Sequence, residues 1–283
     1  MGHEIVDIHP HILSADTRKY PSVPIRGKQS QWSKERPQNL ETLVLEMDGA
    51  GVTKAAIVQA STFYGFDNSY LADSIATDPK RFTGVCTIDV LAPDAVAVLQ
   101  GWIERGMSGL RLFTGGSSHA ADTNLLTDSR SFPIWEYCSD QSVPVCVQTA
   151  PEGLPQVRIL LEKFTEVKVI LDHVARPTLD DGPPYRAAQS LFDLAIYPNL
   201  YLKITPRTFA LAKAGKSTAE AFFHQLVKTF SSNRIAYGSN LPASEGPMLR
   251  LIAEARHGLA CLPVPDQINI LSGTAKTLYP VLA

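Results

Sequence analysis

The chain has 283 residues, 45% hydrophobic and 19% charged, with a formal net charge of −2. That length buries a large core without disulfides or a structural metal, and it suits one large α/β barrel or two ordinary domains. The near-neutral balance lacks the basic stripe of a general nucleic-acid binder, so no nucleic-acid partner is expected.

The first predicted strand, EIVDI (4–8), runs directly into Asp7, His9 and His11 at every second position. Side chains alternate along a strand, so positions two apart share a face. His9 and His11 can then reach one metal ion at ~2.0–2.1 Å per zinc–nitrogen bond. Asp7 is expected deeper on that face, where a carboxylate orients a ligand. The bland alternative is a frayed strand end with solvated histidines. Residues 12–38 follow without a predicted element and carry Trp32, which points to a lid loop over a site.

A helix is predicted over 40–51, ending in glycines, and a strand over 54–60. Ser61, Thr62 and Tyr64 come next and are candidates for a pocket wall, Tyr64 among the substrate contacts. The alternation continues with a helix at 68–79, a strand at 82–89, a helix at 93–106 and a strand at 108–113 that carries Arg111. After a helix at 128–141, the strand at 143–149 ends near Gln148; after one at 154–164, the strand at 167–173 ends in His173, with Arg176 just beyond. A helix at 184–197 leads to the strand 200–205, which holds Lys203 and is followed by Arg207. A helix at 217–230 precedes the last strand, 234–239, which exits into Asn240 through the stretch YGSNLP. Helices at 244–257 and near 265–278 complete the chain, the last expected to pack across the outside.

Eight strand–helix repeats in this length predict a (β/α)₈ TIM barrel as a single domain over 1–283. A doubly wound open sheet is the alternative, and it lacks a glycine-rich fingerprint after the first strand. In a barrel, chemistry sits at the C-terminal ends of strands. That brings His9, His11 and His173 to one mouth as candidate catalytic groups and metal ligands, with Asn240 opposite them. Arg111, Arg176, Lys203 and Arg207 add cations there, with Gln148 as a hydrogen-bonding group. Such a mouth suits a small anionic organic substrate. The competing reading for the cations is internal pairing with Asp89 or Asp172. Of the other histidines, His3 precedes the first strand, His119 falls in a loop, and His224 and His257 fall on helices. Cys86, Cys138, Cys146 and Cys261 show no Cys-x-x-Cys spacing, as in a reducing compartment. No apolar run approaches the ~18 residues of a membrane span and no signal pattern is present, so a cytoplasmic protein without a membrane partner is expected.

Together VDIHPH, MDGAGVTKAAIVQ, DPKRFTGV, GLRLF, ILDHVARP and YGSNLP resemble the amidohydrolase superfamily over nearly the whole chain. The closest likeness is to the "amidohydrolase family 2" branch, which includes 2-pyrone-4,6-dicarboxylate lactonase and sugar lactonases. The resemblance implies a barrel hydrolase of esters, lactones or amides. It implies a divalent metal, zinc favoured, on His9 and His11, with His173 as ligand or polariser. It also implies an aspartate that activates water after the last strand, where this chain has Asn240. A neutral amide cannot take a proton from water and is a poor anionic ligand. A metal-free site therefore stays open, with a histidine as the base. Opening of a carboxylate-bearing lactone is the main expectation. Decarboxylation within the same superfamily, and a degraded barrel that binds a ligand or serves as a partner subunit, are the alternatives. A homo-oligomer is compatible with all three.

Overall fold

The computed structural model describes residues 3–115 and 122–283. Eight parallel strands stand side by side in chain order: β1 Ile5–Asp7, β2 Val52–Val58, β3 Phe82–Cys86, β4 Met107–Phe113, β5 Val145–Gln148, β6 Val169–Asp172, β7 Leu200–Ile204 and β8 Ile235–Tyr237. The seam between β8 and β1 is held by Ile8 N donating to Tyr237 O at 3.2 Å and Ser239 N donating to Asp7 Oδ1 at 2.8 Å. With helices around it, this nearly closed sheet is a (β/α)₈ barrel. His119 lies outside the described residues.

The helices form where local signals are strong. Leu40–Ala50 begins on Asn39, whose side chain accepts from Thr42 N, and ends on Gly51 at φ 71. Ala219–Phe230 begins on Thr218, which accepts from Ala221 N. The helix expected over 184–197 is broken into three short turns, Arg186–Ala188, Gln189–Phe192 and Asp193–Ile196. Tyr185 enters them at φ 58, a left-handed conformation that cannot lead straight into a helix. Met248–Leu259 starts later than expected because Pro247 takes the cap position, and Glu46 Oε2 accepts its first amide at 2.7 Å.

The last segment departs most from expectation. It forms Val264–Ile268, a π-helical turn Asn269–Gly273, and Thr274–Leu278. It does not simply lie across the outside. Leu278, Tyr279 and Leu282 pack against Val6, Ala56, Val85, Cys146 and Ile170, the inward side chains of the strands. Lys54 Nζ, near the start of β2, reaches the carbonyls of Leu282 and Ala283 at 3.0 and 2.6 Å. The chain end thus stoppers the N-terminal mouth of the barrel. Apolar side chains there would otherwise meet water, and burying them is the driving force.

Tyr279 is fully buried in this stopper, and its hydroxyl lies 3.5 Å from Cys146 Sγ. Tyr279→Ala is expected to lower stability by about 3–5 kcal/mol, and Tyr279→Phe by about 1 kcal/mol or less. Urea unfolding of the two variants checks this, and equal stability of Tyr279→Ala and wild type would refute the stopper.

Candidate active site

The site is built upward from a buried charge cluster. Asp172 ends β6 with no exposed surface. Its Oδ2 accepts from Arg111 Nε of β4 at 2.8 Å, and its Oδ1 lies 2.7 Å from Lys203 Nζ of β7. Burial opposes ionisation of this carboxyl, but the Lys203 and Arg111 charges outweigh it and hold it well below the usual carboxylate range. Lys203 is fully buried and does not line the cavity; its partner is Asp172, so it is not placed to touch substrate. Asp89, the other partner considered for the cations, is exposed.

Above the cluster stand three histidines. His9 has no exposed surface, and its ring lies 5.0 Å, edge-on, from both His11 and His173. Gly238 makes room for it, since a Cβ there would fall 2.4 Å from His9 Cβ. Strand alternation does not persist through this region. Val6 and Ile8 point into the barrel, so Asp7 cannot share their face. Its Oδ1 accepts from His9 N and Ser239 N at 2.9 and 2.8 Å. Asp7 is a clamp between the ends of β1 and β8, and it touches no histidine ring.

His11 Nδ1 lies 2.8 Å from the Val58 carbonyl, which accepts only, so Nδ1 carries the proton and Nε2 keeps its lone pair. His173 Nδ1 lies 2.9 Å from Thr205 Oγ1. Burial pushes the pKa of both down to about 3, with Arg111 adding to the effect on His11 and Asp172 opposing it on His173. Burial and the Lys203 charge push His9 well down too. All three are neutral near pH 7.

A cavity of about 420 Å³ opens over this floor. His11, His173, Arg111, Gln148, Arg176, Arg207 and Asn240 all line it, as do Ser61 and Thr62. Gln148 Oε1 is buried there without a partner among the described residues. Asn240 stands at φ 54, its amide on Ser244 Oγ at 3.2 Å. Tyr64 is not in the lining: its hydroxyl accepts from Ser14 N at 2.7 Å and its ring packs with Leu13 and Phe63. It supports segment 12–38 rather than the pocket wall. That segment forms a turn at Ile25–Gly27 and a helix Gln31–Glu35, and Trp32 stacks on His11 at 5.4 Å. Arg250 and Glu254 also line the cavity. Both look like ordinary helix-surface charges in the sequence, which gives no hint of them. Thr205 was hidden similarly, whereas Asp172 at the end of an apolar run was a legible sign of a buried carboxylate needing partners.

Residues 6–281 match the family model described as amidohydrolase. The chain belongs to the amidohydrolase family. With that it is a hydrolase, as its likeness to a curated lactonase also supports. The L-fucono-1,5-lactonase of Burkholderia ambifaria is 22% identical over 210 residues, covering 74% of this chain and 70% of that protein. A protein from Pseudomonas putida assigned as a 2-pyrone-4,6-dicarboxylic acid hydrolase shares the fold at TM-score 0.79 and 19% identity, over 100% of both chains. A dihydroxybenzoic acid decarboxylase of Polaromonas sp. JS666, solved with bound manganese and an inhibitor, shares it at TM-score 0.70 and 15% identity, over 100% of this chain and 98% of that one. No helix among the described residues of this amidohydrolase is long and apolar enough to cross a membrane.

The donors in this amidohydrolase do not fit the three-histidine ion site expected from its sequence. Among the described residues, no group of three or more His, Cys, Asp or Glu side chains is placed to hold a metal. His11 keeps a free Nε2, but His9 Nδ1 lies 2.9 Å from Lys203 Nζ. Asp172 is committed to its two cations, and Asn240 brings no charge.

The neutral histidines make stability depend on pH. A histidine held near 3 in the folded chain takes its proton first in the unfolded chain, near 6.5. Its contribution is present above pH ~6.5 and is lost as pH falls from there toward 3, at about 1.4 kcal/mol per pH unit. His173→Asn is expected to flatten the stability slope by that amount between about pH 6 and pH 4. Denaturant unfolding of chelator-treated protein checks it; an unchanged slope would mean that His173 is not held neutral in the folded chain.

Proposed function

We propose that this amidohydrolase opens a small lactone or related ester that carries a carboxylate. The observation that supports it most is the state of two arginines at the cavity. Among the described residues, neither Arg176 nor Arg207 has an ion-pair partner. Arg176 reaches only the Thr149 carbonyl, at 3.3–3.4 Å, and burial together with the Arg207 charge lowers its pKa. The Glu152 charge opposes this from farther off; two like charges with no carboxylate paired to them among the described residues repel one another, and a bound carboxylate relieves both. The cavity volume suits a small molecule.

The chemistry follows from the residues around that anion site. Water attacks the ester carbonyl carbon while its proton passes to His11 Nε2, a weak base whose imidazolium is stabilised by the negative charge developing on the intermediate. The Arg111 guanidinium faces the oxyanion, its other side held by Asp172. Collapse of the tetrahedral intermediate breaks the ring C–O bond, and His11 returns the proton to the leaving alkoxide. The product is an open hydroxy acid. Asn240 can orient the water through hydrogen bonds and does not take its proton. Arg176 and Arg207 hold the remote carboxylate, so their worth is in binding.

The test is turnover across paired lactones and esters, with and without a carboxylate, in the presence and absence of added divalent metals. Arg207→Ala is expected to raise KM about tenfold or more for the carboxylate-bearing member and leave the neutral one unchanged. No turnover of any member would sink the reading. Asn240→Asp is the companion: strong activation would mean the site lacks a base that a carboxylate supplies, and unchanged rates support an asparagine site. The decarboxylase among the structural relatives motivates a second reading, and release of carbon dioxide without incorporation of water would select it.

A further inference from the structure

His9 is the one member of the histidine trio with no place in the lining of the cavity, and its Nε2 is buried without a partner among the described residues. Its other nitrogen is engaged. Nδ1 lies 2.9 Å from Lys203 Nζ, whose remaining neighbours are Asp172 Oδ1 at 2.7 Å and Cys146 Sγ at 3.4 Å. An ammonium group donates and cannot accept. With the ammonium donating, Nδ1 must accept, and the single proton of a neutral imidazole sits on Nε2. A metal ligand through Nε2 requires the reverse tautomer. The charge around it points the same way. Two cations, Arg111 and Lys203, meet one carboxylate, Asp172, in this buried cluster, so a positive charge is left over directly beneath the histidines.

We propose that Lys203 is a positioning residue that fixes His9 as an Nε2–H donor between His11 and His173. The lysine holds a fixed cation under the site, and His9 presents a hydrogen-bond donor instead of a metal-binding lone pair. In the lactone-opening reading, on which the catalytic part of this inference rests, His9 acts from beneath the cavity, through the edge-on contacts of its ring with His11 and His173, and does not touch substrate. Gly238 serves the same end by letting β8 close against His9.

The decisive measurement is on the unmodified protein. Histidine labelled with ¹⁵N, assigned with His9→Asn, is expected to show a pyrrole-like Nε2 and a pyridine-like Nδ1 for His9. Titrated zinc is expected to leave those two signals in place. A proton on Nδ1, or zinc bound at His9 Nε2 in the wild type, would overturn the proposal. Lys203→Met, checked for folding by circular dichroism, is expected to mix or reverse the tautomer, to let zinc reach His9, and to lower kcat about 10²-fold with KM within about twofold. An unchanged tautomer in folded Lys203→Met would also overturn it. The expected tautomer together with no turnover of any ester would remove the lactonase reading and leave the assignment of Lys203 standing.

Discussion

A carboxylate sealed from water has to be held by cations, and the Arg111–Asp172–Lys203 cluster is that hold. Its members come from three strands, β4, β6 and β7, and Asp172 is registered directly beside Lys203 in the sheet. Removing Asp172 would leave two cations uncompensated in the barrel, a loss of about 3–5 kcal/mol in comparable buried pairs. The cluster also constrains pairing. A one-residue slip of β7 would turn Lys203 outward and strand Asp172. Burial sets the neutral state of the histidines above them; the Lys203 and Arg111 charges add to it and Asp172 opposes it.

The second device is strain in the turn after β6. His173, Val174, Ala175 and Arg176 all have φ between 53 and 55. Left-handed backbone costs about 1–2 kcal/mol per residue without glycine. The turn is kept because Val174 and Ala175 are buried beneath it, at 0% and 1% exposure, and because His173 is fastened to Thr205. Its effect is to bring His173 and Arg176, three positions apart, to the same cavity. Asn240, also left-handed, follows β8. Strained residues grouped in this way are characteristic of functional sites.

Much of this was legible in the chain. The strands fall within two or three residues of where β-branched runs place them, and most helices stop where glycine, proline or a cap says they should. His11, His173, Arg111, Arg176, Arg207, Gln148 and Asn240 were each readable as strand-end groups, and the barrel does bring them to one cavity. Lys203 and Tyr64 were equally readable and are not in it. Lys203 was drawn into the cluster beneath, and Tyr64 into the packing of segment 12–38. Both outcomes depend on which neighbour a long side chain finds.

The chain encodes directly only what is local: strand and helix periods, their alternation, and the residue types at each strand end. Tertiary structure alone decided what those residues do. His9 and Lys203 are 194 positions apart, yet their contact selects the tautomer of the imidazole. Asp7 is two residues from His9, yet the oxygen that accepts from His9 N also accepts from Ser239 N across the barrel seam. The physical reason is that periodicity is a property of neighbouring dihedrals, whereas protonation and partnership are set by the charges and dipoles that closure of the barrel brings within about 3 Å.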